Sequence, residues 1–248
     1  MTAKTILITG ASRGIGRAVA ILAAQRGWSV IVNYLHNDLA AQHVVDRVKA
    51  LGARSIKIQG DVASEDDVIR VFQEASKFGP LNGVVINAGI VSPPLALVDM
   101  TLDRLQRMFD VNVLGAYLCA REAARQMIKS RGGNGGSIVL VSSIAAVSGS
   151  PNEFIDYAGS KGAVDTLTKG LAKELGPHGV RVNAVRPGLI DTEIHASGGQ
   201  PDRARSRGVN TPLGRPGSAE EVAEAIIWLL SDLSSYNTGT LLDVTGGV

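Results

Sequence analysis

The chain has 248 residues, of which 45% are apolar, and 25 Lys plus Arg against 23 Asp plus Glu leave a net charge of +2. That apolar fraction supports a substantial core and excludes a disordered chain, while so small a charge argues against a nucleic-acid partner. Cys119 is the single cysteine and there are four histidines, which excludes an internal disulfide and a Cys-rich structural zinc site. We therefore expect no metal and a reducing, cytoplasmic setting.

Apolar runs are short throughout the chain. None approaches the roughly 20 consecutive apolar residues that a membrane span needs. The first run stops at Thr9 and Gly10, far short of a secretory signal. We expect no membrane partner.

Short β-branched runs alternate with amphipathic helical stretches. Apolar spacing predicts a first helix that ends near Gly27, and Ser64 and Ser218, each with an acid three residues later, resemble capping boxes. Longer helical stretches are predicted at about 102–129 and 154–175. This alternation is typical of a parallel sheet covered on both faces. We predict an α/β fold, one domain over residues 1–248 with a doubly wound (Rossmann-type) seven-stranded parallel sheet and helices on both faces. The predicted strands are 5–9, 29–34, 55–59, 83–87, 137–142, 181–186 and 240–245.

Segment 189–217 breaks the alternation, with four Arg, three Pro and five Gly in 29 residues. So long and polar a connection is usually functional or disordered, and we predict a substrate lid. Its run Arg203, Arg205 and Arg207 is predicted to be a solvated face, although arginines above a site could hold an anionic substrate. His195 is predicted to face solvent.

The first strand turns into the first helix through Thr9-Gly10-Ala11-Ser12-Arg13-Gly14-Ile15-Gly16. Backbone amides and a helix N-terminus placed there can face a phosphate, and glycine lets it approach. Gaps of four and then two differ from the G-x-G-x-x-G spacing. The segment predicts a dinucleotide loop of another type.

Polar motifs follow three later strands: Asn87-Ala88-Gly89, Ser142-Ser143 and Pro187-Gly188. The carboxyl ends of parallel strands share one rim, where ligands bind at the point of strand reversal. The next helix carries Tyr157 and Lys161 one turn apart on one face. A nearby cation favours the phenolate, so the pair predicts an acid–base group.

These motifs, with Asp61-Val62 and Asn112, resemble those of the compact short-chain dehydrogenase/reductase family, including its glucose dehydrogenase-like and 3-oxoacyl-carrier reductase-like members. The resemblance implies that Tyr157 exchanges a proton with the substrate oxygen and that Ser143 hydrogen-bonds this oxygen. It implies that Lys161 holds the nicotinamide ribose and assists Tyr157, and that Asn112 anchors a relay water. The expected cofactor-binding residues are Gly10, Ser12, Arg13, Gly14, Ile15, Gly16, Asn33, Asp61, Val62, Asn87, Ala88, Gly89, Tyr157, Lys161, Pro187, Gly188, Ile190 and Thr192.

The sequence departs from the family pattern at two places. Ile86 stands where the family usually has the first Asn of Asn-Asn-Ala-Gly. The interval from Ser143 to Tyr157 is one residue longer than is common, so either Ser142 or Ser143 can be the catalytic serine. We favour Ser143, which comes last before the small Ile144-Ala145-Ala146 turn.

The end of the second strand bears on cofactor choice. An NAD enzyme places an acid there for the ribose hydroxyls, whereas this strand ends at Asn33-Tyr34. Asp38 follows Asn37 and is predicted to start the next helix instead. Arg13 suits a 2′-phosphate, so NADP(H) is favoured over NAD(H).

The main functional hypothesis is an NADP(H)-dependent oxidoreductase that interconverts a carbonyl and a secondary alcohol of a small-molecule substrate by hydride transfer. One alternative is an NAD-linked sugar or polyol dehydrogenase, because Val32-Asn33-Tyr34 resembles glucose dehydrogenases of the family. A 3-oxoacyl-carrier reductase is disfavoured by His178, which stands where such reductases tend to have Arg. A non-catalytic dinucleotide sensor is disfavoured because Tyr157 and Lys161 are both present. The long helices are expected to pair in a homotetramer or homodimer.

Overall fold

The seven predicted runs form one sheet in the computed structural model, which describes residues 3–248; Met1 and Thr2 of the predicted domain lie outside the described residues. All neighbouring strands are parallel, in the order β3-β2-β1-β4-β5-β6-β7. The predicted doubly wound sheet is confirmed, with strand ends shifted by at most two residues. The strands are β1 Thr5–Ile8, β2 Ser29–Tyr34, β3 Ser55–Gln59, β4 Leu81–Ile86, β5 Gly136–Val141, β6 Val180–Pro187 and β7 Leu241–Val244.

Helices cover both faces of this sheet. Side chains alternate along each strand, so Ile6 and Ile8 join one apolar layer and Leu7 joins the other. Helices α1, α2 and α10 pack in the first layer, and α3, α5 and α7 pack in the second. The helices are α1 Gly14–Gln25, α2 Asp38–Ala50, α3 Glu65–Phe78, α4 Leu102–Phe109, α5 Gly115–Met127, α6 Ala145–Ser148, α7 Ile155–Leu175, α8 Ile194–Ser197, α9 Arg203–Gly208 and α10 Ala219–Leu230.

The helical stretch predicted at about 102–129 is present and runs without a break from Leu102 to Met127, but it is not a regular α-helix throughout. A π-helical turn, Asp110–Leu114, separates α4 from α5, and α5 ends at Met127. Such wider turns interrupt the regular hydrogen-bond pattern and often occur at functional sites. This turn contains Asn112, one of the predicted catalytic residues.

The two predicted capping boxes differ. At α10 the Ser218 hydroxyl accepts from Glu221 N at 3.3 Å, and the Glu221 carboxylate accepts from Ser218 N at 2.8 Å. At α3 the Ser64 hydroxyl accepts from Asp67 N, but the Asp67 carboxylate accepts from Asp61 N at 2.9 Å. The capping box at α3 is therefore incomplete, and Asp67 instead fixes the backbone of Asp61.

Within residues 3–248, no helix combines the length and apolar character that crossing a membrane requires.

Candidate active site

Strand order reverses between β1 and β4, and a cleft of about 810 Å³ opens at the carboxyl ends of the central strands. In open α/β sheets this is where ligands bind. All of the predicted site residues line it except Gly16 and Asn112. The lining set is Gly10, Ser12, Arg13, Gly14, Ile15, Asn33, Asp61, Val62, Asn87, Ala88, Gly89, Ser143, Tyr157, Lys161, Pro187, Gly188, Ile190 and Thr192.

The glycine loop presents an uncapped helix start to this cleft. Arg13 occupies the N-cap position of α1 without a side-chain cap, and the first turn carries no acidic residue. Gly10 and Gly14 have φ of +62° and +53°, a region that favours glycine. The first amides of α1 therefore suit a phosphate group, which fits the predicted dinucleotide.

Gly16 has a packing role. A Cβ on Gly16 would lie 2.7 Å from both Asn87 Nδ2 and Gly10 O. Asn87 Nδ2 itself donates to Thr9 O at 2.9 Å and to Gly10 O at 3.0 Å. Gly16 thus lets α1 approach the amide that holds the glycine loop, and it does not line the cleft.

Asn33 borders the cleft, but its side chain is turned into the protein. Its Oδ1 accepts from Gly10 N at 3.3 Å, while Nδ2 donates to Ile58 O at 3.3 Å and Gly60 O at 3.1 Å. Asn33 is only 2% exposed as a residue, and it supports the glycine loop from the protein interior. The sequence did not point to Leu35, His36 and Asn37, which line this end of the cleft.

Asp38 begins α2, as predicted, and Asn37 caps that helix by accepting from Ala40 N at 2.9 Å. The carboxylate of Asp38 accepts from Lys57 Nζ at 2.6 Å and from the Tyr34 hydroxyl. These two bonds, that of Lys57 first, hold the pKa of Asp38 below its usual value. The nearest acid to the end of β2 is thus already engaged by protein groups.

Tyr157 and Lys161 stand one turn apart on α7. Lys161 Nζ donates to Val141 O at 2.8 Å and lies 5.6 Å from the centre of the Tyr157 ring. Burial lowers the pKa of Lys161 to about 8, against the opposing field of Asp165. Burial also raises the pKa of Tyr157, and a hydrogen bond from Ser143 partly offsets that rise.

The two candidate serines have different surroundings. Ser142 lines the cleft too, but its Oγ donates to Lys161 O at 3.2 Å and the residue is almost fully buried. Ser143 Oγ accepts from Ala145 N at 3.1 Å and reaches Tyr157. This arrangement favours Ser143 as the serine that shares a substrate oxygen with Tyr157.

Asn112 lies behind the cleft wall. Its Oδ1 accepts from Ile90 N at 2.8 Å, and Nδ2 donates to Ile90 O at 3.0 Å and to Ser160 Oγ at 3.1 Å. The side chain is buried, so it holds the segment after Gly89 against α7. A Cβ on Gly89 would lie 3.2 Å from Asn112 Oδ1 and 3.4 Å from Lys161 Nζ, so this packing is close.

Segment 189–217 crosses the cleft and contains α8 and α9. Its ends meet, since Gly217 N donates to Leu189 O and Asp191 N donates to Gly217 O, both at 2.9 Å. Glu193 pairs with Arg17 of α1 at 3.3 Å. His195 lines the cleft, half-buried, with its Nε2 2.9 Å from Ile190 O, and burial lowers its pKa. The prediction that His195 faces solvent is wrong.

The arginine run of this segment is divided between two faces of α9. Arg205 has a side chain 74% exposed, as predicted for a solvated face. The side chain of Arg203 is only 14% exposed, and both Arg203 and Arg207 line the cleft. The predicted solvated face is therefore wrong for Arg203. Within residues 3–248 no group of three or more His, Cys, Asp or Glu side chains could hold a metal ion.

Comparison with known proteins agrees with this architecture. A family model described as enoyl-(acyl carrier protein) reductase matches residues 10–248. The Escherichia coli protein named uncharacterized oxidoreductase YgfF is 49% identical over 242 residues, which cover 97% of this chain and 98% of that protein. An L-rhamnose 1-dehydrogenase (NAD(P)(+)) from a Sphingomonas species is 44% identical over 250 residues, covering 99% of this chain and 96% of its own.

Solved structures give the same result. A short-chain type dehydrogenase/reductase from Mycobacterium marinum has a TM-score of 0.90 at 39% identity and covers 99% of this chain and 95% of its own. A 3-ketoacyl-(acyl-carrier-protein) reductase from Brucella melitensis, complexed with NADH, has a TM-score of 0.89 at 31% identity, with coverage of 98% and 97%. The fold and the cleft thus define an oxidoreductase of the class that uses NAD(P)(H). The chain belongs to the short-chain dehydrogenase/reductase family.

Proposed function

We propose that this protein is an NADP(H)-dependent oxidoreductase that interconverts a carbonyl and a secondary alcohol at Tyr157. The observation that carries the proposal is the placement of Tyr157, Ser143 and Lys161 in the same cleft as the uncapped start of α1. The first amides of α1 would hold the phosphates of the cofactor, and Tyr157 lines the same cleft. The proposed catalytic residues are Ser143, Tyr157 and Lys161, and Asn112, which was expected to belong to this set, positions them from behind the cleft wall.

In the reduction, the Tyr157 hydroxyl gives its proton to the carbonyl oxygen, and Ser143 donates a hydrogen bond to the same oxygen. The nicotinamide cofactor, when bound, supplies the hydride that the carbonyl carbon takes up. The oxidation runs these steps in reverse, with the Tyr157 phenolate accepting the alcohol proton. The positive charge of Lys161 stabilises that phenolate in a buried site where Coulomb interactions are strong.

Asn112 acts in this proposal as a positioning residue. Its amide ties Ile90 to Ser160 and so holds the Gly89 segment beside Lys161. A relay water anchored at Asn112 would have to contact its main chain, because the side chain is enclosed.

NADP(H) is the proposed cofactor. Arg13 is exposed on the glycine loop and lines the cleft near the end of β2. Asp38, the acid that could repel a 2′-phosphate, is neutralised by Lys57. A guanidinium fork suits phosphate oxygens, and a neutralised carboxylate leaves its attraction unopposed.

A panel of aldehydes, ketones, keto-esters and sugars, each assayed with NADPH and NADH, tests the reaction. Tyr157→Phe keeps the ring and removes the transferable proton, so turnover should fall about a hundredfold to ten thousandfold with cofactor affinity nearly unchanged. Tyr236→Phe, at a fully exposed tyrosine, is the matched control. Turnover of the Tyr157 variant close to that of the parent would move the chemistry to another group.

A second candidate is an NAD-linked sugar or polyol dehydrogenase. The observation that favours it is the 44% identity to a protein named L-rhamnose 1-dehydrogenase (NAD(P)(+)). Oxidation of aldoses with NAD⁺ at rates above those of any carbonyl reduction with NADPH would support this candidate over the first.

We also propose a homotetramer or homodimer, in a reducing cytoplasm that suits a buried, unpaired Cys119. Phe109, Leu114 and Tyr117 expose 41%, 54% and 46% of their surfaces around the start of α5, and a paired subunit would cover them. Light scattering should then give a multiple of the 25.9 kDa chain mass. A monomer mass at micromolar concentration would contradict the assembly.

A further inference from the structure

The short helix α9 turns two of its arginines toward the cleft and one away. Arg203 and Arg207 are one turn apart and line the cleft, whereas Arg205 pairs with Asp191 at 3.2 Å on the exposed side. The Arg203 guanidinium stacks over the Phe154 ring at 4.7 Å, three residues before Tyr157. Arg203 is therefore fixed beside the end of the cleft where the substrate would react.

Glu153 fixes both cleft-facing arginines. Its Oε2 accepts from Arg203 Nη2 at 2.7 Å and from Arg207 Nη1 at 3.0 Å, and its Oε1 accepts from Arg207 Nη2. Two guanidinium groups face one carboxylate, so this cluster carries one net positive charge. Segment 150–153 holds the carboxylate in place with a strained turn, in which Ser150 and Asn152 have φ of 41° and 63°.

The cluster has surplus donors and few free acceptors. Arg203 gives one N–H to Gln200 Oε1 at 2.7 Å and one to Glu153, which leaves its Nε–H and one N–H on each terminal nitrogen for a ligand. The oxygens of Glu153 and Gln200 already accept from these arginines. A sugar hydroxyl both donates and accepts and would leave its proton poorly matched here, whereas a carboxylate only accepts.

We propose that the substrate is a small oxo acid, or its hydroxy acid counterpart, whose carboxylate binds Arg203 while its carbonyl faces Tyr157. This inference rests on the proposed function for the reaction and adds the class of substrate. The net positive charge of the cluster and the planar fork of Arg203 both favour a carboxylate. Arg203 is a specificity-determining residue in this assignment, and Glu153 positions it.

The test compares 2-oxo, 3-oxo and 4-oxo acids with their methyl esters, which keep the shape and lose the charge. The wild type should favour each productive acid over its ester in kcat/KM by about ten- to a hundredfold, the range of a charge-assisted contact. Arg203→Gln should abolish this preference, Arg203→Lys should restore part of it, and Arg205→Gln on the opposite face of the same helix should leave it intact.

A binding measurement separates this inference from the proposed reaction. Calorimetric titration of the protein with NADP⁺ present, using pentanoate against methyl pentanoate, needs no turnover. If the wild type binds pentanoate and Arg203→Gln does not, the carboxylate site is supported, whether or not any carbonyl is reduced. A failure to reduce any carbonyl would contradict only the proposed reaction. Equal binding of acid and ester by the wild type overturns the inference, whether or not Arg203→Gln folds. A preference for aldoses over every acid would also overturn the inference. If the esters are reduced and this reduction depends on Tyr157, the proposed reaction still holds.

Discussion

Lys57 and Asp38 form an ion pair of 2.6 Å that links β3 to the start of α2, directly after the strand β2, whose end borders the cleft. The Tyr34 hydroxyl donates to the same carboxylate. The pair neutralises an acidic residue near the end of β2, the position on which the proposed preference for NADP(H) over NAD(H) depends.

Lys57→Met should therefore shift cofactor preference toward NADH. The freed Asp38 charge would repel a 2′-phosphate near Arg13, and the loss of NADPH affinity should be several-fold at most because exposed charges are screened. Calorimetric titration with both cofactors measures the ratio. Lys57→Arg keeps the ion pair with Asp38 and should keep the ratio of NADPH to NADH affinity. The same change of this ratio in both variants would contradict the role of the ion pair.

Arg13→Ala should weaken NADPH binding by about ten- to a hundredfold, the range of a charge-assisted contact, and leave NADH binding nearly unchanged. Arg26→Ala, at the far end of the same helix and paired with Glu224, is the control. The same titrations measure both variants. If the parent binds NADH as tightly as NADPH, the assignment of NADP(H) fails.

Gly16→Ala should lower both stability and cofactor affinity. The added Cβ would sit 2.7 Å from Asn87 Nδ2 and Gly10 O, so the glycine loop or α1 must shift. Gly170→Ala in α7 is the control, because no heavy atom of residues 3–248 outside its own local helix lies within 4 Å of its Cβ. That change should be neutral or add about 0.5 to 1 kcal/mol of stability. Urea unfolding and NADPH titration of both variants check the prediction.

The buried Lys161 should make stability depend on pH in the alkaline range. Burial lowers its pKa from 10.5 to about 8, so between these values the unfolded chain binds more protons than the folded one. The free energy of unfolding then rises with pH in this window. Lys161→Met should exceed the wild type in stability most below pH 8, and less as the pH approaches 10.5. Urea unfolding at pH 7 and pH 10 measures the difference in free energy of unfolding between Lys161→Met and the wild type. The same difference at both pH values would exclude the lowered pKa of Lys161.

Glu153 should make stability depend on pH in the acid range. Its bonds with Arg203 first, and then Arg207, lower its pKa from 4.5 to about 2, so its stabilisation is complete above pH 4.5 and is lost as the pH falls toward 2. Glu153→Gln should cost about 1 to 2 kcal/mol at pH 7, between the values typical of exposed and buried pairs. The exposed Glu174→Gln should cost little. Urea unfolding at pH 7 and pH 3 measures the difference in free energy of unfolding between the wild type and Glu153→Gln. This difference should be smaller at pH 3, and a larger difference at pH 3 would refute the assignment.

The sequence by itself determined the sheet, the glycine loop and the Tyr157–Lys161 pair. Each of these depends on residues close together in the chain, where side-chain periods of about 2 and 3.6 and the conformations open to glycine act directly. Since parallel strands share one rim, the motifs after β1, β4, β5 and β6 had to converge. All predicted site residues except Gly16 and Asn112 accordingly line the cleft.

Only the tertiary structure decided which polar groups pair inside that frame. The side chain of Asn33 points inward because its amide is hydrogen-bonded to three backbone groups, one in the glycine loop and two in or just after β3. Glu153 and Arg203 are 50 residues apart, and no local pattern marks them as partners. The π-helical turn at Asn112 likewise accompanies bonds to Ile90, 22 residues earlier in the chain. Such contacts follow from the packing of distant elements, since a buried polar group must find its partner wherever the fold brings one within reach.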